Sequence, residues 1–162
     1  MMGAGKTTLG RELAGRLGYP FVDLDEYLEQ RESRTIAQLF AQEGQEGFRV
    51  LERQALEAAV QEYEKVVIAT GGGAPCFFDN ISFINRHGIS IFLDVPAAEI
   101  CNRLLASDLT LRPLLAGKSA SELNDFIART LNERRRFYEQ STFTLAGKNN
   151  NIGQVISLLN HI

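Results

Sequence analysis

Apolar positions fall three and four residues apart in some stretches of the chain and bunch into short β-branched runs in others, and the two patterns alternate. Residues 5–17 (GKTTLGRELAGRL) have helical spacing and stop before Gly18, a natural left-handed helix end. Within YPFVDLD (19–25), Phe21, Val22 and Leu24 predict a short buried strand, and DEYLEQRES (25–33) a helix. T-I-A-Q at 35–38 reads as a capping box opening a short helix through Phe40, followed by a long amphipathic helix from about Glu46 to Tyr63. KVVIAT (65–70) is a continuous β-branched run of the kind covered on both faces of a sheet. GGG (71–73) breaks it, and Asp79 is placed as the cap of a helix ending at Gly88. ISIFLDV (89–95) predicts another buried strand, and Pro96 suits the first turn of the next helix. DLTLRPLLAGK (108–118) is a loop. S-A-S-E (119–122) is a second capping box, starting a helix to about Gln140. TFTLA (142–146) predicts an edge strand, and the last dozen residues a helix. Strands separated by helices imply a three-layer α/β/α domain around a mostly parallel sheet. With no repeat or linker, residues 1–162 read as a single domain with a lid loop at about 106–118.

Composition narrows the partners. A net charge of -3 exerts no general pull on nucleic acid or anionic lipid, so an anionic ligand needs a local group of cations. No apolar run reaches membrane-spanning length and nothing at the start reads as a signal peptide. Cys76 and Cys101 have neither disulfide-framework nor metal-ligand spacing, and His87 and His161 are expected at the surface. The expectation is a cytoplasmic monomer acting on a small molecule, without nucleic acid or membrane partners.

The chemistry begins at the first residues, MMGAGKTTLG. Gly5-Lys6-Thr7 supplies the second half of the phosphate-loop pattern G-x-x-x-x-G-K-[ST], and Gly3 adds backbone freedom. Amides of Gly3, Ala4, Gly5, Lys6, Thr7 and Thr8 would cradle the phosphates of ATP at a helix start. Lys6 would reach the β- and γ-phosphates and the Thr7 hydroxyl would bind Mg²⁺. The pattern's first glycine would fall one residue before Met1, and the central strand that precedes such a loop is missing from this chain. Forgoing about five buried apolar side chains would forfeit roughly 7–15 kcal/mol, comparable with the whole stability of a domain. The reading therefore expects an upstream segment of roughly ten residues; the alternative is a short chain with an open slot in its sheet.

A second set of residues suits a hydroxylated anion. In DLD, Asp23 and Asp25 lie two apart at a strand's carboxyl end, one placed to support Mg²⁺ through water and the other to accept a proton from an attacking hydroxyl. Helix capping by Asp25 is the alternative. Gly71, Gly72 and Gly73 let backbone approach a ligand, or simply make a tight turn. Arg49 could clamp a carboxylate while Glu52 orients it, or the two form a surface ion pair. Arg112, in the long loop, could swing onto the transferring phosphoryl group. Arg103 could stack on adenine or remain solvated. ERRRFY (133–138) places three arginines on one helix, one of which could face the pocket.

Taken together, GAGKTTLGRELA, FVDLDEYLE, EGFRVLE, VVIATGGGA, LRPLLAG and the R-x-x-x-Y of ERRRFY resemble the shikimate kinases, a branch of the P-loop proteins, in family order over nearly the whole chain. The resemblance implies transfer of the ATP γ-phosphoryl group to the 3-hydroxyl of shikimate. It implies that Asp25 binds that hydroxyl as base, Asp23 supports the metal, and Lys6 and Thr7 serve the phosphates and Mg²⁺. Arg49 and Arg134 would clamp the shikimate carboxylate, with Gly71, Gly72 and Gly73 giving close backbone contacts. Phe40 and Phe48 would line the acceptor pocket, Glu52 orient its polar groups, Arg112 serve as lid arginine and Arg103 as adenine stacker. The family's R-x-P-x-Y is altered, with Arg136 where Pro is expected. Arg134 is preferred by its distance from Tyr138, and Arg135 is the runner-up. A gluconate-type kinase and a non-catalytic nucleotide-binding module are the competing readings.

Overall fold

Gly18 ends α1 (Lys6–Leu17) as the spacing predicts: at φ 67° its N–H returns to the Ala14 carbonyl and closes the last turn. The computed structural model of the chain describes residues 1–107, 117–148 and 150–160. After α1 come β1 (Phe21–Asp23), α2 (Leu24–Glu32), α3 (Ile36–Glu62), β2 (Val67–Ala69), a single 3₁₀ turn (Ala74–Cys76), α4 (Asn80–His87) and β3 (Ile91–Asp94). Then follow α5 (Ala97–Leu105), α6 (Ala120–Tyr138), β4 (Phe143–Ala146) and α7 (Ile152–Leu159). The expected short and long helices join as α3. The break between them survives as a kink at Gly44, where φ 67° and ψ −175° are open to glycine but not to a side chain in a helix.

Local capping chemistry holds where it was read and in one further place. Thr35 with Gln38 and Ser119 with Glu122 form reciprocal capping boxes, and Asn151 with Gln154 makes a third. Asp79 departs from expectation. It stands at the start of α4 but makes no side-chain cap; its carboxylate instead accepts from Arg53 at 2.7 Å and Arg86 at 3.1 Å. Two guanidinium partners outcompete one backbone amide for the same oxygens.

All strand pairing is parallel, as expected, but it forms two ladders among the described residues instead of one sheet. β1 lies beside β2 with Phe21 opposite Val67 and Asp23 opposite Ala69, and β3 lies beside β4 with Ile91 opposite Phe143. A trough of about 990 Å³ separates them, walled by residues 66–72 on one side and 89–93 on the other. This corrects the reading of KVVIAT as covered on both faces: Val67 and Ile68 are only half-buried, because among the described residues no strand lies on the trough side of β2. One apolar cluster joins Leu93, Ile100, Leu104, Leu123, Ile127 and Val155 around β3, α5, α6 and α7. A second joins Leu24, Leu28, Leu39, Ala55 and Leu56 where α2 meets α3.

Candidate active site

The turn that feeds α1 is built for an anion. Gly3 (φ 69°) and Gly5 (φ 93°) are both left-handed, so side chains there would be strained. Gly3 is also hemmed in: a Cβ would meet Ile100 Cγ2 and Leu104 Cγ at 3.2 Å. No acidic residue stands in the first turn of α1 and no side chain caps it, so its leading amides keep their capacity for a ligand. Lys6 Nζ donates to the Met1 carbonyl at 2.6 Å, which holds the ammonium over the turn. A cavity of about 320 Å³ opens beside it, lined by Gly3, Ala4, Gly5, Thr8, Leu9, Glu12, Arg103 and Asn150. Arg103 is anchored there by Glu99 (2.8 Å), the Ala4 carbonyl (3.3 Å) and the Lys148 carbonyl, so it is tied to the phosphate turn while staying partly exposed.

Thr7 connects this turn to the acidic pair. Its hydroxyl donates to Asp23 Oδ2 at 2.9 Å, while Asp23 Oδ1 accepts from the Asp25 amide at 3.2 Å. The pair is therefore not arranged by strand alternation. β1 stops at Asp23, which caps α2, and Asp25 sits in that helix's first turn. A hydroxyl and a carboxylate in contact are hard oxygen donors that fit Mg²⁺, which keeps most of its waters and takes few protein ligands. No cluster of three or more His, Cys, Asp or Glu positioned to hold a metal is found among the described residues.

The turn after β2 meets α3 and α6 on the other side of Asp25. A Cβ on Gly71 would stand 3.0 Å from Asp25 Oδ1 and 3.1 Å from Glu52 Oε1, so glycine there leaves two carboxylates room to face one space. Arg49 Nη1 donates to Glu52 Oε2 at 2.6 Å, and both side chains are largely buried, which rules out a surface pair. The Arg49 guanidinium lies 4.2 Å from the centroid of Phe77, 5.1 Å from Phe48 and 6.0 Å from Phe40. Its Nε is buried without a hydrogen-bond partner, a donor awaiting an acceptor. Phe40 stacks on Phe48 at 4.0 Å and forms the rim.

The consecutive arginines at 134–136 of α6 separate by helix phase. Arg135 turns away and donates to both oxygens of Asp94, at 2.8 and 3.0 Å. Arg134 turns toward the glycine turn, its Nη1 lying 3.4 Å from where a Gly72 Cβ would be. Tyr138, one turn on, donates its hydroxyl to the Gly72 carbonyl at 2.5 Å and has its pKa pushed up to about 12 by burial. The geometry thus favours Arg134 over Arg135 for the pocket.

Burial dominates the electrostatics. It pushes the Asp25 carboxyl up, the adjacent Asp23 charge adds to this, and Lys6 and Arg49 pull it back. Burial likewise raises Glu52, with Arg49 opposing. The Met1 amino group is pushed well down by burial and by the Lys6 and Arg134 charges.

Three contributors escaped sequence reading. Phe77 packs on Arg49, with no signal beyond being aromatic. Asn80, fully buried, donates Nδ2 to the Ala74 carbonyl at 2.8 Å and accepts from Arg53 Nη1 at 2.7 Å, pinning the glycine turn to α3. Arg53 completes that tie, and its i,i+4 spacing from Glu57 carries no signal beyond a helix ion pair. Arg112 and most of the expected lid loop lie outside the described residues.

This arrangement has close counterparts. The family model described as shikimate kinase matches residues 2–160. A shikimate kinase of Bacteroides fragilis is 49% identical over 142 residues, spanning 88% of this chain and 78% of that protein. One from Parabacteroides distasonis is 48% identical over 143 residues, spanning 88% and 82%. The crystal structure of shikimate kinase from Bacteroides thetaiotaomicron superposes with a TM-score of 0.90 at 43% identity, covering 99% of this chain and 92% of that one. The Acinetobacter baumannii enzyme in complex with shikimate gives 0.87 at 31% identity, covering 99% and 89%. The expected P-loop kinase architecture is thereby established, and a family match over residues 2–160 together with relatives 49% identical over 88% of the chain means that the chain belongs to the shikimate kinase family.

Proposed function

We propose that the chain transfers the γ-phosphoryl group of ATP to the 3-hydroxyl of shikimate, leaving ADP and shikimate 3-phosphate. The observation that carries this reading is the position of Asp25, whose charge is coupled at once to Lys6 of the phosphate turn and to Arg49 of the acceptor pocket. A carboxylate between an anion cradle and a carboxylate clamp suits a reaction in which a hydroxyl of a small acid attacks a phosphate.

The α1 amides and Lys6 hold the phosphates, and Arg103 borders the nucleotide side. Thr7, with Asp23 acting through water, would hold Mg²⁺, and the ion would supply charge neutralisation for the phosphate oxygens. Arg49 and Arg134 bind the acid's carboxylate, with the orphan Arg49 Nε–H among the donors. Glu52 keeps the Arg49 fork aimed, and Phe48, Phe40 and Phe77 flank it. Asp25 hydrogen-bonds the attacking hydroxyl and takes its proton as the new P–O bond forms and the bond to ADP breaks. Its raised pKa makes it a better proton acceptor than an exposed aspartate. Catalysis rests on positioning and charge stabilisation.

The test is ADP release with ATP and Mg²⁺ and either shikimate or gluconate as acceptor. Turnover with shikimate alone is expected. Turnover with gluconate alone, or binding of both ligands without product, would overturn the reading.

A further inference from the structure

We propose that Asp94, at the carboxyl end of β3, is a positioning residue for the acceptor carboxylate: its ion pair with Arg135 sets the rotation of the last turn of α6 and so keeps Arg134 turned to the pocket. The buried stripe that seats α6 runs through Leu123, Ile127, Thr130 and Leu131. At helical spacing it should continue at 134 and 135, and both are arginines. Between Leu131 and Tyr138 no residue of α6 is fully buried, so side-chain packing leaves the pocket end of the helix weakly fixed and polar ties must hold it.

Two such ties are present. On one side the Tyr138 hydroxyl donates to the Gly72 carbonyl at 2.5 Å. On the other, Arg135 Nη2 and Nη1 donate to Oδ1 and Oδ2 of Asp94 at 2.8 and 3.0 Å. This is a bidentate fork between residues 41 positions apart, and both side chains are largely shielded, at 37% and 22% exposed. The Arg135 guanidinium lies 5.8 Å from the centroid of buried Phe92, whose ring meets that of Tyr138 at 5.0 Å, so both ties converge on one patch. Glu139 also accepts from Arg135, but at 3.4 Å and from one turn further along the same segment, so it cannot fix the rotation against β3. Neighbouring helix residues point about 100° apart. With Arg135 fastened to β3, Arg134 therefore faces the glycine turn, where its Nη1 lies 3.4 Å from the place of a Gly72 Cβ. Helix side chains reach about 5–6 Å from the axis, so a rotation of about 10° shifts a side-chain tip by about 1 Å. A shift of that size is enough to spoil a clamp.

The inference rests on the proposed reaction, in which Arg134 grips the shikimate carboxylate. The test is initial rates of ADP release at varied shikimate and varied ATP, for the 162-residue chain and its Asp94→Ala and Asp94→Asn variants, with folding followed by circular dichroism. Asp94→Ala is expected to raise the shikimate KM about 10-fold, with kcat and the ATP KM within about twofold of the parent. Asp94→Asn keeps the shape but offers one neutral acceptor; it should fall between the two, and it carries the test if the alanine variant does not fold. Glu139→Gln, which removes only the longer contact to Arg135, should leave the shikimate KM unchanged. In an Arg134→Ala background Asp94→Ala should no longer change kcat/KM, because the group it positions is gone. A shikimate KM within about twofold of the parent in both Asp94 variants overturns the proposal. So does an undiminished further loss in the Arg134→Ala background, which marks Asp94 as acting by another route. A matched rise in the ATP KM overturns it as well, because the fold has then loosened generally. A parent that releases no ADP with shikimate overturns the reaction reading and this inference with it, whereas an active parent with unmoved variants overturns this inference alone.

Discussion

Gly73→Ala separates the geometry of the acceptor clamp from the stability of the fold. Gly73 has φ −89° and ψ −23°, a right-handed conformation that alanine adopts without strain, so any effect comes from the added methyl group. That carbon would lie 2.6 Å from Arg49 Nη2, 2.8 Å from Nη1 and 2.9 Å from Cζ. Ordinary contact requires the guanidinium to back off by about 0.8 Å. Arg49 cannot do so freely, because Glu52 holds it at 2.6 Å and the Phe77 ring covers it. The moving atoms end a flexible side chain, so the fold should survive with a loss of about 1 kcal/mol, or roughly 2–4 °C in melting temperature. A clamp misplaced by nearly an ångström should lower kcat/KM for shikimate on the order of 100-fold. A coupled ADP-release assay at varied shikimate measures this, and calorimetry with ATP and Mg²⁺ should find nucleotide affinity unchanged. A kcat/KM within about twofold of the parent would refute the reasoning. So would full additivity of Gly73→Ala with Arg49→Lys, since two changes acting on one guanidinium must couple.

Three further outcomes follow from the same geometry. Asp25→Asn should cut turnover by about 10²–10⁴-fold in the ADP-release assay with little change in shikimate affinity. The same variant should melt higher than the parent at pH 7: the raised folded pKa means the native state binds more protons than the unfolded one, so the parent loses stability as pH rises from the unfolded value of about 3.9 through the folded one. The gap should close below about pH 4, and an equal or lower melting point at pH 7 would contradict the sign. Arg49→Lys keeps the charge but loses the fork, and should raise the shikimate KM by about 10-fold or more at unchanged ATP KM, as seen in initial rates. Asn80→Ala leaves the Ala74 carbonyl without its side-chain donor and removes one of Arg53's acceptors, with Glu57 and Asp79 remaining, and should cost about 1–3 kcal/mol in urea unfolding while raising shikimate KM through a loosened glycine turn.

Much of this protein was written locally. The end of α1 at Gly18, the boxes at Thr35 and Ser119, the strand in KVVIAT and the phosphate turn around Lys6 each depend on residues a few positions apart, so the linear pattern specifies them. Asp25, Arg49 and Glu52 could be singled out for the same reason, but their local pattern left helix capping and a surface ion pair open, and only the resemblance over the whole chain suggested their roles. What pattern could not supply depended on partners distant in the chain. Arg134 and Arg135 are equivalent as letters; one meets the turn after β2 and the other Asp94 only because α6 docks at a particular rotation. Asn80 is an ordinary helix-start residue until Arg53 and Ala74 close around it. KVVIAT announced a strand wanting cover on both sides, and the half phosphate loop at the start already pointed to an open slot in the sheet; which residues wall that slot was decided only in three dimensions, because exposure belongs to the neighbours a segment finds and not to its own composition.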